Sequence, residues 1–410
     1  MMIKSIVTQI KELVECNGKI TFAEFMNLVL FSSPNGYYYS GQNIQQRDYF
    51  TSPLAHPLFG ALIAVQLEQI WEIMDKPNPF YVIEFGAGSG VLGRDIVRYS
   101  KSLSVNFAEN INYVSLDYQP SVIPFSGIDF VKSSGIPFRN VEGCFISNEL
   151  FDSFPVHRFV KDNGKLKEIY VGVEADNLVE IVDEPSTPML EMALSDLEIP
   201  EGFRGEVNLA VGGWLDALSD TLLRGIVFTI DYGYLAPDLY SKERSRGTLR
   251  CYYKHTVGSN PYDLLGLQDI TSHVDFTSLM RSGVDRGFNN VGFTTQKEFL
   301  RNLGFQKYFE ALRRINMRQA ERYNNQFGML ELVKEGHMGD FKVLIQSKGI
   351  PQDIKLIGFE ESGKKGKNLT YNANDLDIPL ISEDHLSVIS GRYPHLTVDF
   401  EELWPFKDRS

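Results

Sequence analysis

Phe80-Tyr81-Val82-Ile83-Glu84-Phe85-Gly86-Ala87-Gly88-Ser89-Gly90 is the stretch that decides the fold of this 410-residue chain. Its first six residues form a short, nearly continuous apolar run, the pattern of a strand buried on both faces of a parallel sheet. The run stops at Gly86, and glycines then alternate up to Gly90, where residues compatible with a helix begin. Glycine lacks a Cβ and accepts positive φ, so such a loop turns tightly and lets a ligand approach the backbone. A helix starting near Val91 directs its N-terminal amide dipole at that ligand.

The same alternation continues outward from this loop. Residues 91–104 suit a helix, 111–117 a second strand and 143–148 another, and a helix over about 207–223 leads into a buried strand at 226–231. Phe341 to Gln346 reads as a returning strand. This order predicts an α/β fold with a doubly wound, Rossmann-like parallel sheet. Residues 1–30 read as two short helices, the second opened by a Thr21-x-x-Glu24 capping box, and Pro57 to Met74 has helical spacing. Three antiparallel strands are expected over about 157–184, with Asp162-Asn163-Gly164 as a hairpin turn. The organisation that follows is an N-terminal helical segment (1–56), a core (57–235) carrying that antiparallel insertion, a mainly helical cap (236–338), a returning core strand (339–349) and a C-terminal extension (350–410).

Composition narrows the function. Hydrophobic residues make up 43% and charged residues 23%, the balance of a globular enzyme. Lys plus Arg number 40 against 53 Asp plus Glu, a net charge of -13 with no basic block, so no nucleic-acid partner is expected. No apolar run has the roughly 20 residues of a spanning helix, so no membrane insertion is expected. Three scattered cysteines, Cys16, Cys144 and Cys251, read as reduced thiols, and Met1 to Glu15 resembles neither a signal nor a transit peptide. Together these predict a cytoplasmic protein. His273 and Asp275 lack a third ligand, so no metal site is expected.

Several residues carry the expected chemistry. Gly88, Gly90 and Gly93 satisfy the G-x-G-x-x-G of a dinucleotide site, but a strand ending at Phe85 makes Gly86 the first turn glycine, and the third position is then Val91. Asp117 closes the second strand, where a carboxylate can accept hydrogen bonds from two ribose hydroxyls, with Tyr118 beside it. The next strand runs into Asn148-Glu149-Leu150-Phe151-Asp152, which places Asn148, Glu149 and Asp152 outside the carboxyl end of the sheet, where open α/β sheets bind ligands. Carboxylates there suit a cationic or nitrogen-bearing acceptor. His157 follows as a base, a pocket wall or a structural residue. Tyr37 to Tyr39 and Tyr49-Phe50 either line a pocket or belong to the core.

Taken together, several stretches resemble the MidA-like family of class I S-adenosylmethionine-dependent methyltransferases, whose mitochondrial members are linked to complex I assembly and protein-arginine methylation. They are Asp48 to Pro53 with Pro57 to Gly60, Ile83 to Leu92, Ser147 to Arg158, Ile230 to Gly233, Arg246 to Leu249, Asp269 to Phe276, Thr295-Gln296 with Phe299-Leu300, and Phe341 to Leu344. The resemblance implies a class I methyltransferase sheet with a helical N-terminal region, a β insertion and a helical cap. It implies S-adenosylmethionine as cofactor, in a pocket formed by Asp48, Thr51, Glu84, Gly86, Ala87, Gly88, Gly90 and Asp117. Asn148, Glu149 and Asp152 then stand next to the acceptor, with a protein arginine favoured. The alternatives are a small-molecule O-, N- or C-methyltransferase and a non-catalytic cofactor-binding assembly factor. The tail after residue 350 lies outside the likeness.

Overall fold

Seven strands build the central sheet: β1 (Phe80–Phe85), β2 (Ile111–Asp117), β3 (Ile128–Lys132), β4 (Val141–Asn148), β5 (Leu222–Asp231), β6 (Asn289–Thr295) and β7 (Lys342–Lys348). A computed structural model describes residues 5–39, 50–119, 124–254, 256–360 and 377–386. The strand order is β6-β7-β5-β4-β1-β2-β3, with β3, β2, β1, β4 and β5 mutually parallel and β7 antiparallel to both its neighbours. From β1 the chain winds outward to β2 and β3, then returns to β4 on the other side. The order therefore reverses between β1 and β4, the switch point at which such sheets bind ligands.

The apolar run of β1 is continuous because both of its faces are covered. Phe80 and Val82 pack with helix α3 (Leu58–Ile73) and helix α4 (Val91–Ser100), while Ile83 and Phe85 pack on the opposite face with Phe145 and with Leu218 of helix α5 (Ala210–Thr221). Helix α3 is buried nearly all round, as a helix wedged between a sheet and an outer layer must be. Gly93 of α4 serves packing: a Cβ there would lie 2.6 Å from the Tyr113 ring. That fit accounts for the coincidental G-x-G-x-x-G spacing.

Both expected N-terminal helices form, α1 at Ile6–Asn17 and α2 at Phe22–Phe31, and the Thr21–Glu24 capping box is complete. The antiparallel layer holds the three expected strands, His157–Asp162, Lys165–Glu174 and Asn177–Asp183. It reaches beyond residue 184: Arg204–Val207 pairs with the first strand, and Ile20–Thr21 pairs with the second. Residues 236–338 are mainly helical in their regular elements but are not helical throughout. They contain a three-stranded sheet (Arg250–Tyr253, Thr256–Gly258, Asp269–Thr271) and β6, which joins the central sheet. The β6 residues are half-exposed and mostly polar, only Val291 and Phe293 being apolar, and the register shifts between Asn290 and Gly292, so this edge strand carries too short an alternation to betray it.

Candidate active site

At the switch point the strand ends and the loops that follow them enclose a cavity of about 760 Å³, within the usual range for a small-molecule site. Its floor is the glycine loop. Gly86, Gly88 and Gly90 have φ of 68°, 53° and 69°, values that side chains resist. The loop is tied down by its own backbone: the Gly86 amide donates to the Leu116 carbonyl at 3.0 Å, and Gly90 to Ala87 at 2.8 Å. A Cβ on Gly88 would meet nothing within 4 Å, so this residue faces open cavity. Glu84 lies beneath the loop, only 4% exposed, and accepts a hydrogen bond from the Tyr113 hydroxyl at 3.0 Å. Burial pushes its carboxyl up to about 8, against the pull of that hydroxyl.

Asp117 ends β2 beside this loop. Its carboxylate accepts from the Gly88 amide at 2.8 Å and from the Gln119 amide at 2.9 Å, so it shapes the loop besides offering lone pairs to a ligand. Tyr118 lines the same wall, its hydroxyl donating to the Phe31 carbonyl at 3.3 Å. Thr51, Tyr37 and Tyr38 complete that side of the cavity. The tyrosines are therefore wall as well as core, and the Tyr38 hydroxyl reaches the buried Asp269 at 2.8 Å.

Across the cavity, β4 delivers Asn148 and Glu149. Glu149 has φ of 51°, a left-handed backbone in a residue that is not glycine, and strain of this kind gathers at functional sites. Its amide donates to the Ile230 carbonyl of β5 at 2.9 Å, which holds the turn. Its carboxyl rises to about 8 through burial and the Asp152 charge, with hydrogen bonds from Asn148 and the Ser52 backbone pulling the other way. Asn148 donates to Glu149 at 3.1 Å, and its Oδ1 is buried with no partner. A buried acceptor left unmatched marks a place for a donor.

Asp152 and His157 do not join this wall. Asp152 is buried behind it, with Oδ2 accepting from the Tyr232 hydroxyl at 2.5 Å and Oδ1 unmatched. Burial raises it to about 6. His157 lies in the antiparallel layer, its Nδ1 2.7 Å from the buried Glu168 carboxylate, so a structural part is what the geometry gives it. Asp48 lies outside the described residues. Reading the sequence also missed Asp231, the fully buried end of β5, which accepts from the amides of Leu150, Phe151 and Tyr232 at 3.1, 2.9 and 2.9 Å. It fixes the turn that carries Asp152. Burial and the Asp152 and Glu149 charges raise it well above the ordinary carboxylate range. The run Ile230-Asp231-Tyr232-Gly233 was the available signal, but an 80-residue separation hid its partner.

A switch-point cavity with a glycine loop, a strand-end Asp and an Asn-Glu pair facing them defines a class I S-adenosylmethionine-dependent methyltransferase. Residues 62–124 and 125–294, more than half of the chain, match the family of S-adenosyl-L-methionine-dependent methyltransferases, and the chain belongs to that family. It is 28% identical over 326 residues to protein arginine methyltransferase NDUFAF7 of Homo sapiens, covering 71% of each chain. The protein of the same name in Rattus norvegicus is 27% identical over 328 residues, covering 71% of this chain and 72% of that one. A crystal structure from Burkholderia thailandensis, bound to S-adenosyl-homocysteine, superposes with a TM-score of 0.75 at 26% identity, covering 86% of this chain and 94% of that one. The chain is thus an enzyme that uses S-adenosylmethionine. The expected cytoplasmic setting is corrected: these curated relatives, and the Drosophila melanogaster homologue, are named as mitochondrial proteins. Among the described residues no helix is long and apolar enough to cross a membrane.

Proposed function

We propose that this enzyme methylates an arginine side chain of a protein, with Asn148 and Glu149 as the groups that meet the guanidinium. The observation that carries this reading is the pairing of a strained Glu149 on the cavity wall with a buried, unmatched Asn148 Oδ1. A guanidinium offers five donors and no acceptor, so it suits a wall that presents the Glu149 carboxyl with the Asn148 amide beside it. The curated relatives' names, protein arginine methyltransferase, point the same way.

In the proposed step a guanidinium nitrogen forms a bond to the donor methyl carbon as the carbon–sulfur bond breaks and its electron pair returns to sulfur. The nitrogen sheds one proton. A carboxyl raised to about 8 by burial is a stronger base than an exposed one, and Glu149, entering the step as the carboxylate that an adjacent guanidinium cation favours, takes that proton. Asp152, held by Tyr232 and backed by Asp231, adds negative potential behind the wall. Glu84, the loop through Gly90, Asp117, Tyr118 and Thr51 hold the donor. Incubating cell-extract proteins with isotopically labelled donor and mapping the label by mass spectrometry tests the reading. Label on arginine, lost in Glu149→Gln while donor affinity persists, is the expected result. Label confined to low-molecular-mass products would replace this reading with a small-molecule methyltransferase.

A further inference from the structure

Residues 377–386 lie far beyond the family match, which ends at residue 294, yet they return to the glycine loop. The segment is anchored at its start by Asp377, which accepts from the Ser102 hydroxyl at 2.6 Å. The Ile381 amide then donates to Asn325 Oδ1 at 2.9 Å, an oxygen that also stands 3.1 Å from the buried His56 Nε2. His385 Nε2 is 2.9 Å from Asp95 Oδ2 of α4, and both side chains are buried. The Leu386 amide donates to the Leu54 carbonyl at 2.8 Å, and its side chain packs on Leu54 and Val91. Leu54 and Val91 are walls of the cofactor cavity.

The contact with most consequence is Asp384. Its Oδ1 lies 3.1 Å from Arg94 Nη2, and Arg94 Nη1 donates to the Ser89 carbonyl at 2.8 Å. Ser89 lies between Gly88 and Gly90, so fixing its carbonyl fixes the Ser89–Gly90 peptide plane within the loop. The Arg94 side chain is only 6% exposed, and it sits in the first turns of α4, where the helix dipole disfavours a cation. A buried cation needs a compensating partner, and Asp384 supplies it.

We propose that residues 377–386 form a positioning strap for the cofactor site, in which Asp384 holds Arg94 on the Ser89 carbonyl and Leu386 backs the Leu54–Val91 wall. Donor affinity then depends on chain beyond the family's matched span. The inference rests on the glycine-loop cavity being the S-adenosylmethionine site.

The test uses the full chain and titrates S-adenosylhomocysteine by calorimetry. Asp384→Ala is expected to raise Kd by roughly fivefold or more, the scale of stripping a partner from a buried charged group. Asp384→Glu should restore the parent value within about twofold by the same reasoning. Asp384→Asn keeps an acceptor without the charge, should fall between, and carries the test if Asp384→Ala folds poorly. Arg286→Ala removes the ion pair to Asp216, which touches neither loop nor strap, and should leave Kd unchanged. Asp384 variants that bind like the parent, or an Arg286→Ala loss equal to that of Asp384→Ala, would overturn the strap. Full binding by Gly88→Val would instead strike the cofactor site itself, and the strap with it.

Discussion

Replacing Glu84 with Gln should make the protein more stable at alkaline pH while weakening its hold on the donor. In the folded protein the Glu84 carboxyl is pushed from 4.5 to about 8 by burial beneath the glycine loop. The folded state therefore grips the proton more tightly than the unfolded chain does. This contribution to stability is complete below about 4.5 and is lost progressively as pH rises through about 8. Each pH unit in that window is worth at most about 1.4 kcal/mol, so the whole window costs the parent no more than about 5 kcal/mol. Gln has nearly the shape of the protonated acid, can still accept from Tyr113, and does not titrate. Thermal melts of parent and Glu84→Gln should therefore coincide near pH 5 and separate toward pH 8.5, the variant melting several degrees higher, since each kcal/mol moves Tm by roughly 2 °C or more. Donor affinity should fall toward and above about pH 8, where the Glu84 carboxyl on the cavity wall is ionised and Gln is not, and should match the parent at lower pH, where both side chains are neutral. Melting curves that stay parallel from pH 5 to 8.5 would show that Glu84 keeps an ordinary pKa, and the electrostatic account of the loop would fail.

Other substitutions separate folding from binding. Gly88→Val should leave the protein folded, since a Cβ there meets no atom within 4 Å, but the left-handed φ costs about 1 to 3 kcal/mol and the side chain fills ligand space, so calorimetry should show no donor binding. Asp117→Ala should weaken donor binding by about 1 to 3 kcal/mol through loss of ribose contacts and of the bond that holds Gly88, with Asp117→Asn recovering part of it; binding equal to the parent would move ribose recognition elsewhere. Glu149→Gly should raise stability by about 1 kcal/mol, because glycine adopts φ of 51° freely, while abolishing methyl transfer; denaturant titration beside a labelled-donor assay reads both, and a destabilised variant would show that the carboxyl supports the fold.

What the sequence made legible, and what it concealed, divides along a physical line. A strand buried on both faces must be apolar throughout, and a loop that turns onto a ligand must contain glycine, so Phe80 to Gly90 could be read without a structure. Asp117, Asn148 and Glu149 followed because each sits at the end of such a strand. The partnerships that organise them are different in kind. Asp231 caps the turn around Asp152 from 79 residues away, and Asp384 reaches Arg94 across 290. Asp231 closes an apolar strand just as Asp117 does, but nothing local names its partner, and Asp384 sits among ordinary hydrophilic neighbours. The edge strand β6 escaped for a related reason, since a mostly polar strand paired on one side needs no sustained apolar alternation. His157 shows the converse failure: a titratable residue close in sequence to the acidic run was drawn into the site by proximity, whereas the strand beginning there carries its ring to Glu168. Local pattern thus locates where a strand ends and a ligand fits, while groups that tune the acids at that end, such as Tyr232 for Asp152, arrive from distant strands, so the pKa of a site like this is a property of topology.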